Sequence, residues 1–233
     1  MNFKYLLITL LLLFLFFVTG LYAWNLTHTL FFDGFMPSVD QWKLYEWVAV
    51  GCLAYLPLHW LLSGNMPFFA TFSHELTHIV VSLIFLRRIN SFHAEQGTGE
   101  VYTQYTGLIS SLSDIPVSLA PYCLPIFTYL LLFLRCLISV QNLWMFDIAI
   151  GMTVAFHLYC FRVQTASFQT DINRFPLLMS YVYIHTARLI NICIIAMAFA
   201  PTCQRGVFSS MWMYLTHCWH IGYELIVNRC ILL

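Results

Sequence analysis

Charge is what this sequence has least of. Its 233 residues carry ten Lys and Arg against ten Asp and Glu, 9% charged in all, with a formal net charge of zero. That balance offers no basic surface for neutralising phosphates and implies no nucleic-acid or acidic partner. With 61% hydrophobic residues and a mean hydropathy of +0.78, the chain is expected to take the lipid bilayer as its solvent. No CxxC pair occurs among the eight cysteines, most of which lie in apolar runs where cysteine behaves as a small hydrophobe. A disulfide framework is therefore not expected. Cys160 near His157 and Cys218 beside His217 also lack the spacing of paired zinc modules. Repeats, low-complexity tracts and long Ser/Pro linkers are absent, so residues 1–233 read as a single integral membrane domain.

Apolar stretches of about 20 residues, enough for a helix to cross about 30 Å of hydrocarbon, lie near 5–24, 44–62, 66–86, 115–140, 143–161 and 177–200. A seventh, about 207–227, contains His217, His220 and Glu224 and reads either as a crossing or as an interfacial helix. The expectation is an all-α polytopic membrane protein of six to seven transmembrane helices. Its core covers about 66–200, with N-terminal helices in 1–62 and a C-terminal helix at 207–227. The first stretch follows Lys4 and has two readings, a signal peptide or a retained helix. Its length and the interfacial residues Tyr22 and Trp24 favour retention. Arg87, Arg88, Arg162 and Arg174, with Lys43, place their loops in the cytoplasm by the positive-inside bias, and so place the amino terminus outside.

The pentapeptide HELTH, His74 to His78, interrupts the apolar run from Met66 to Leu86. On a helix, positions four apart share a face, so one Zn²⁺ can bridge both imidazoles while Glu75 lies beside it as a base. Histidines and acids also serve in membrane helices as satisfied packing groups, yet ionisable residues at that depth are rare without a role. His59, His185 and His217 read as groups satisfying neighbouring helices, and Arg135 and Arg188 as snorkelling or pairing with a carboxylate such as Asp147. Pro116, Pro121 and Pro125 punctuate the fourth stretch, where they kink a helix or free carbonyls towards a wet cavity.

The longest polar interruption runs from Arg87 to Asp114 and contains INSFHAEQGTGEVYTQYTG. Gly97, Gly99 and Gly107 among alternating polar and β-favouring residues predict a short hairpin with glycine at its turn. An HExxH helix, a basic exit and a glycine-containing hairpin together resemble the site-2 protease family of intramembrane zinc metalloproteases, in particular its compact M50B-like branch. The resemblance covers roughly residues 66–175.

That resemblance implies a zinc metalloendopeptidase acting on transmembrane protein substrates. It also implies a re-entrant hairpin around Phe92 to Tyr105 that holds an extended peptide, with His93, Gly97 and Gly99 as substrate-contacting residues. A catalytic zinc commonly has three protein ligands and an open position, and the family supplies an aspartate, usually in an LDG motif. This chain has no LDG; the nearest candidate is Asp171 in FQTDINRFP. Three rivals remain: His157, as a ligand, as a hydrogen-bond donor to a ligand carboxylate or as a packed polar group; Asp114 in SDIP, which also reads as a helix start; and Glu224. Thr77 replaces the glycine often found in HExGH. Hydrolysis would then proceed with Glu75 taking a proton from water and returning it to the leaving amine. A non-catalytic zinc-binding scaffold and a metal-ion transporter are the alternatives from other classes.

Overall fold

The computed structural model describes residues 3–33, 36–37, 43–107, 113–137, 143–165, 169–199 and 207–230. The chain is mostly helical, as expected of a backbone that must satisfy its own polar groups in lipid. Helix α1 (Phe3–Phe31) is followed by the two-residue strands β1 (Phe32–Asp33) and β2 (Met36–Pro37), then by α2 (Glu46–Leu61) and α3 (Met66–Ile84). Strands β3 (Arg88–Glu95) and β4 (Thr98–Gln104) come next, then α4 (Asp114–Leu119), a 3-10 turn (Ala120–Tyr122) and α5 (Ile126–Arg135). The chain continues through α6 (Leu143–Gln164), α7 (Thr170–Asn173), α8 (Leu177–Met197) and α9 (Val207–Cys230).

Three segments are individually long and apolar enough to cross a membrane: Phe3–His28, Leu143–Gln164 and Leu177–Met197. Two more qualify only as bent pairs. Helices α2 and α3, joined through Ser63–Asn65, meet at 84°, and the Asp114–Tyr122 arm meets α5 at 85°. Among the described residues, length and composition thus give three spans, or up to five if each bent pair is one span, against the six to seven expected. The short breaks between apolar stretches are sharp corners, and α9, with His217, His220 and Glu224, does not reach the same hydropathy.

Glycine permits the closest helix contact. A Cβ at Gly51 of α2 would fall 2.0 Å from the Ile148 carbonyl oxygen, and one at Gly151 of α6 would fall 2.1 Å from the Val48 oxygen. Small residues let membrane helices approach at backbone distance, where packing rather than hydrophobic transfer holds them together. The Cys52 thiol donates to the Gly151 carbonyl at 3.3 Å across the same seam. Helix α1 packs into the bundle, with a Thr19–Tyr214 hydroxyl bond of 2.8 Å to α9 and Tyr22 donating to the Met197 sulfur of α8. Arg135 and Asp147 form the anticipated ion pair at 2.7 Å, buried between α5 and α6. The six described cysteines whose state is defined are free thiols.

Helix α3 ends with Leu86 in the left-handed region at φ 56. The Arg87 N–H bonds to the Ser82 carbonyl and the Leu86 N–H to the Leu83 carbonyl, a Schellman closure. This reversal sends the chain into β3, which pairs antiparallel with β4 in a register that sets Phe92 opposite Val101 and Ala94 opposite Gly99. Gly97, at φ 80, makes the turn. The hairpin base is clamped by Arg87, which bonds Ser113 at 2.6 Å and Asp114 at 2.7 Å and lies over the Tyr105 ring. Asp114 also accepts from the Tyr105 hydroxyl and pairs with Arg174 at 3.5 Å.

Candidate metal centre

The HELTH segment lies in the middle of α3, with His74 and His78 one turn apart and their ring centroids separated by 4.9 Å. Pro67 in the first turn costs no helical hydrogen bond, so the helix starts cleanly and carries both imidazoles on one face. Asp171 arrives from α7, a four-residue helix anchored by fully buried Ile172, whose carbonyl accepts from Ser180 at 2.9 Å. Its Oδ2 lies 3.4 Å from His74 Nε2 and 3.3 Å from His78 Nε2. Among the described residues, His74, His78 and Asp171 form the one cluster of ligand-type side chains able to converge on a metal, all within 4.8 Å.

The donor chemistry fits a cation. His78 Nδ1 sits 2.8 Å from the Val117 carbonyl oxygen. A carbonyl only accepts, so Nδ1 donates to it and Nε2 is the ring nitrogen turned towards the Asp171 carboxylate. At 3.3 Å a lone pair on that nitrogen would repel the carboxylate, so a proton or a metal ion belongs between the two. Tetrahedral zinc with bonds of about 2.0–2.1 Å separates its ligand atoms by about 3.3 Å, close to the two histidine–carboxylate distances of 3.4 and 3.3 Å. Burial alone would push the Asp171 carboxyl up, but the two imidazoles outweigh it and hold the group well below the usual carboxylate range. Asp171 is thus ionised at neutral pH, as a ligand must be.

Glu75 is buried and points into a cleft of about 440 Å³ that also exposes His74 and Asp171. One wall is Pro67, Ala70 and Thr71 of α3, another is Gly97, Thr98 and Gly99 of the hairpin, and a third is Val163, Gln164, Gln169 and Thr170. Thr77 points elsewhere, bonding its own backbone at Ser73 with 2.7 Å. Gly97 and Gly99 therefore meet the candidate centre. His93 does not line the cleft: it is exposed and pairs with Glu95 at 3.3 Å.

The rival third ligands lie elsewhere. His157 faces a small cavity with Arg188 and Asn191, and its ring bonds the Cys123 carbonyl, an acceptor beside the break before Pro125. That carbonyl also accepts from Asn191 at 3.1 Å, so this part of α6 serves the kink rather than the cluster. Asp114 is committed to Arg87, and Glu224 lies exposed on α9. Two contributors were not anticipated, the Val117 carbonyl and Tyr122. Both depend on packing between segments 39 and 49 residues apart, which no local motif signals. No family model, no curated protein and no solved structure matches this chain.

Proposed function

We propose that the chain is an intramembrane zinc metalloprotease of the site-2 protease type, hydrolysing peptide bonds of transmembrane or membrane-associated proteins. The observation that carries this reading is the His78 tautomer. Its Nδ1 is committed to Val117, so its Nε2 turns to Asp171 Oδ2 at 3.3 Å, and with His74 Nε2 at 3.4 Å from the same oxygen three donors converge. Bound there, zinc would supply Lewis acidity, polarising a scissile carbonyl and acidifying water. The chain's own residues do the rest. Glu75, in the same cleft, accepts the proton of the attacking water and delivers it to the leaving amine. The glycine-walled side of the hairpin admits an extended backbone next to that carboxylate, and an unwound substrate is what hydrolysis of a membrane helix requires.

In this reading the bilayer surrounds the bundle, the hairpin re-enters at membrane depth and the site opens towards the cytoplasmic side. Its fullest form has six to seven crossings, with α2 and α3 spanning separately and α9 crossing as well. A transporter would need a relay of ligand clusters, and one such cluster occurs among the described residues.

The test is purified protein in proteoliposomes with a transmembrane reporter substrate. Stoichiometric zinc and cleavage are expected in the wild type. Glu75→Gln should keep zinc and stop cleavage; a scaffold would work equally well with that substitution. Protein without zinc, or a Glu75→Gln variant that still cuts, would refute the assignment.

A further inference from the structure

Tyr122 is 1% exposed, and among the described residues its hydroxyl has one hydrogen-bond acceptor, Asp171 Oδ2, at 3.5 Å. A phenol buried this completely among Leu119, Ile172 and Met179 would ordinarily be a phenylalanine unless its oxygen had a task, because an unmatched hydroxyl in such surroundings is destabilising. The same ring meets His74 edge-on, with centroids 5.2 Å apart. That contact matters because the two histidines are held differently. His78 is oriented by the Val117 carbonyl, whereas His74 Nδ1 is buried with no hydrogen-bond partner among the described residues. Metal-ligating histidines nearly always rely on such a bond from the second ring nitrogen to fix the plane of the ring. Here the Tyr122 ring lies against the imidazole that lacks it.

We infer that Tyr122 is the positioning residue of the candidate metal centre, orienting Asp171 through its hydroxyl and His74 through its ring. This rests on the zinc-site reading above and adds to it a residue outside the ligand set. At 3.5 Å, the long limit of a hydrogen bond, the O–H reaches the oxygen that faces both imidazoles and favours the carboxylate rotamer with Oδ2 turned inward. Being a donor alone in that bond, it does not compete for the cation. The ring and the hydroxyl are separable. Phenylalanine keeps the packing against His74 and loses only the bond to Asp171; leucine loses both.

The experiment measures zinc affinity by chelator competition in Glu75→Gln protein, so that no turnover is needed, with Co²⁺ visible absorption as a second readout. Tyr122→Phe should weaken zinc binding about 10- to 100-fold, the usual effect of losing a partner of a metal ligand. Tyr122→Leu should weaken it further and change the Co²⁺ band shape, which reports ligand geometry. Combining Tyr122→Phe with Asp171→Asn should add little to Asp171→Asn alone, since the hydroxyl acts through that carboxylate. Zinc affinity within two-fold of the parent in Tyr122→Phe would overturn the inference while leaving the metal site standing. Equal effects of Tyr122→Phe with and without Asp171→Asn would also overturn it. A parent protein that binds no zinc would sink both readings. Unchanged thermal unfolding of metal-free Tyr122→Phe would show that the loss is not one of folding.

Discussion

Glu75 and Gly99 touch at backbone distance: a Cβ at position 99 would fall 2.4 Å from Glu75 Oε1 and 2.5 Å from its Cγ. The carboxylate proposed as the base is thus held beneath a strand that has no side chain at that point. Glycine here serves close approach rather than an unusual backbone angle.

Gly99→Ala should therefore act on chemistry before it acts on metal binding. The added methyl has to displace the Glu75 side chain, and a shift of about 1 Å in a catalytic group can cost about 100-fold in rate. Cleavage is expected to fall about 10- to 100-fold, with zinc content and affinity unchanged. Retained activity would show that Glu75 does not need its observed position.

Leu86→Gly should stabilise the protein. Leu86 adopts a left-handed φ of 56 at the end of α3 and is largely exposed, so little packing is lost on its removal. A left-handed L-residue costs about 1–2 kcal/mol, against about 0.5–1 kcal/mol for the extra freedom of an unfolded glycine. The balance is a gain of about 0.5–1 kcal/mol, visible as higher thermal stability in detergent, with the Arg87 clamp intact. A lower melting temperature would mean that the Leu86 side chain supports the structure.

The elements legible from sequence were those with a local cause. HELTH on α3, the turn at Gly97 and the hairpin over residues 88–104 follow from periodicity and turn chemistry, and the structure has each of them. Arg135 found Asp147 because a buried cation requires a nearby anion. Asp171 meets the histidines across more than ninety residues, and a charge pattern with a motif resemblance brought it into consideration. What stayed hidden was geometry set by tertiary packing. Asp114 begins α4, as its place ahead of a proline predicts, and it is also the anchor of Arg87; His157, with readings as ligand, donor to a carboxylate or packed polar group, serves the break before Pro125. The 84° corner between α2 and α3 cannot be read from hydropathy, which sees two apolar stretches and not the angle between them.

Gly151→Ala tests the glycine seam between α2 and α6. The obstructing atom is the Val48 carbonyl oxygen at 2.1 Å, and backbone cannot swing aside as a side-chain tip can. Separating the helices by enough to admit a methyl should cost about 1–3 kcal/mol, the usual price of overpacking a tight interior. Thermal unfolding should fall accordingly, and Gly51→Ala should reproduce the effect from the opposite helix, where Ile148 obstructs at 2.0 Å. A double variant no worse than either single one is expected, since one separation relieves both clashes. Unchanged stability in both single variants would place the helices farther apart than described.

The Asp171 carboxyl gives the cluster a defined acid limit. In the folded, metal-free protein the imidazoles hold it below the usual carboxylate range, although burial works in the opposite direction. A group whose folded pKa is depressed contributes stability that is fully present above its unfolded value, about 3.9 for aspartate, and is lost as pH falls through the folded value. The metal-free wild type should therefore be more stable than Asp171→Asn at neutral pH, and that advantage should not shrink until the pH drops below about 4. Melting temperatures of the two proteins, stripped of metal and compared from pH 7 downward, check this. An advantage that disappears already near pH 6 would mean that Asp171 is not ionised against the two imidazoles, and the convergence of three donors on one cation would lose its electrostatic basis.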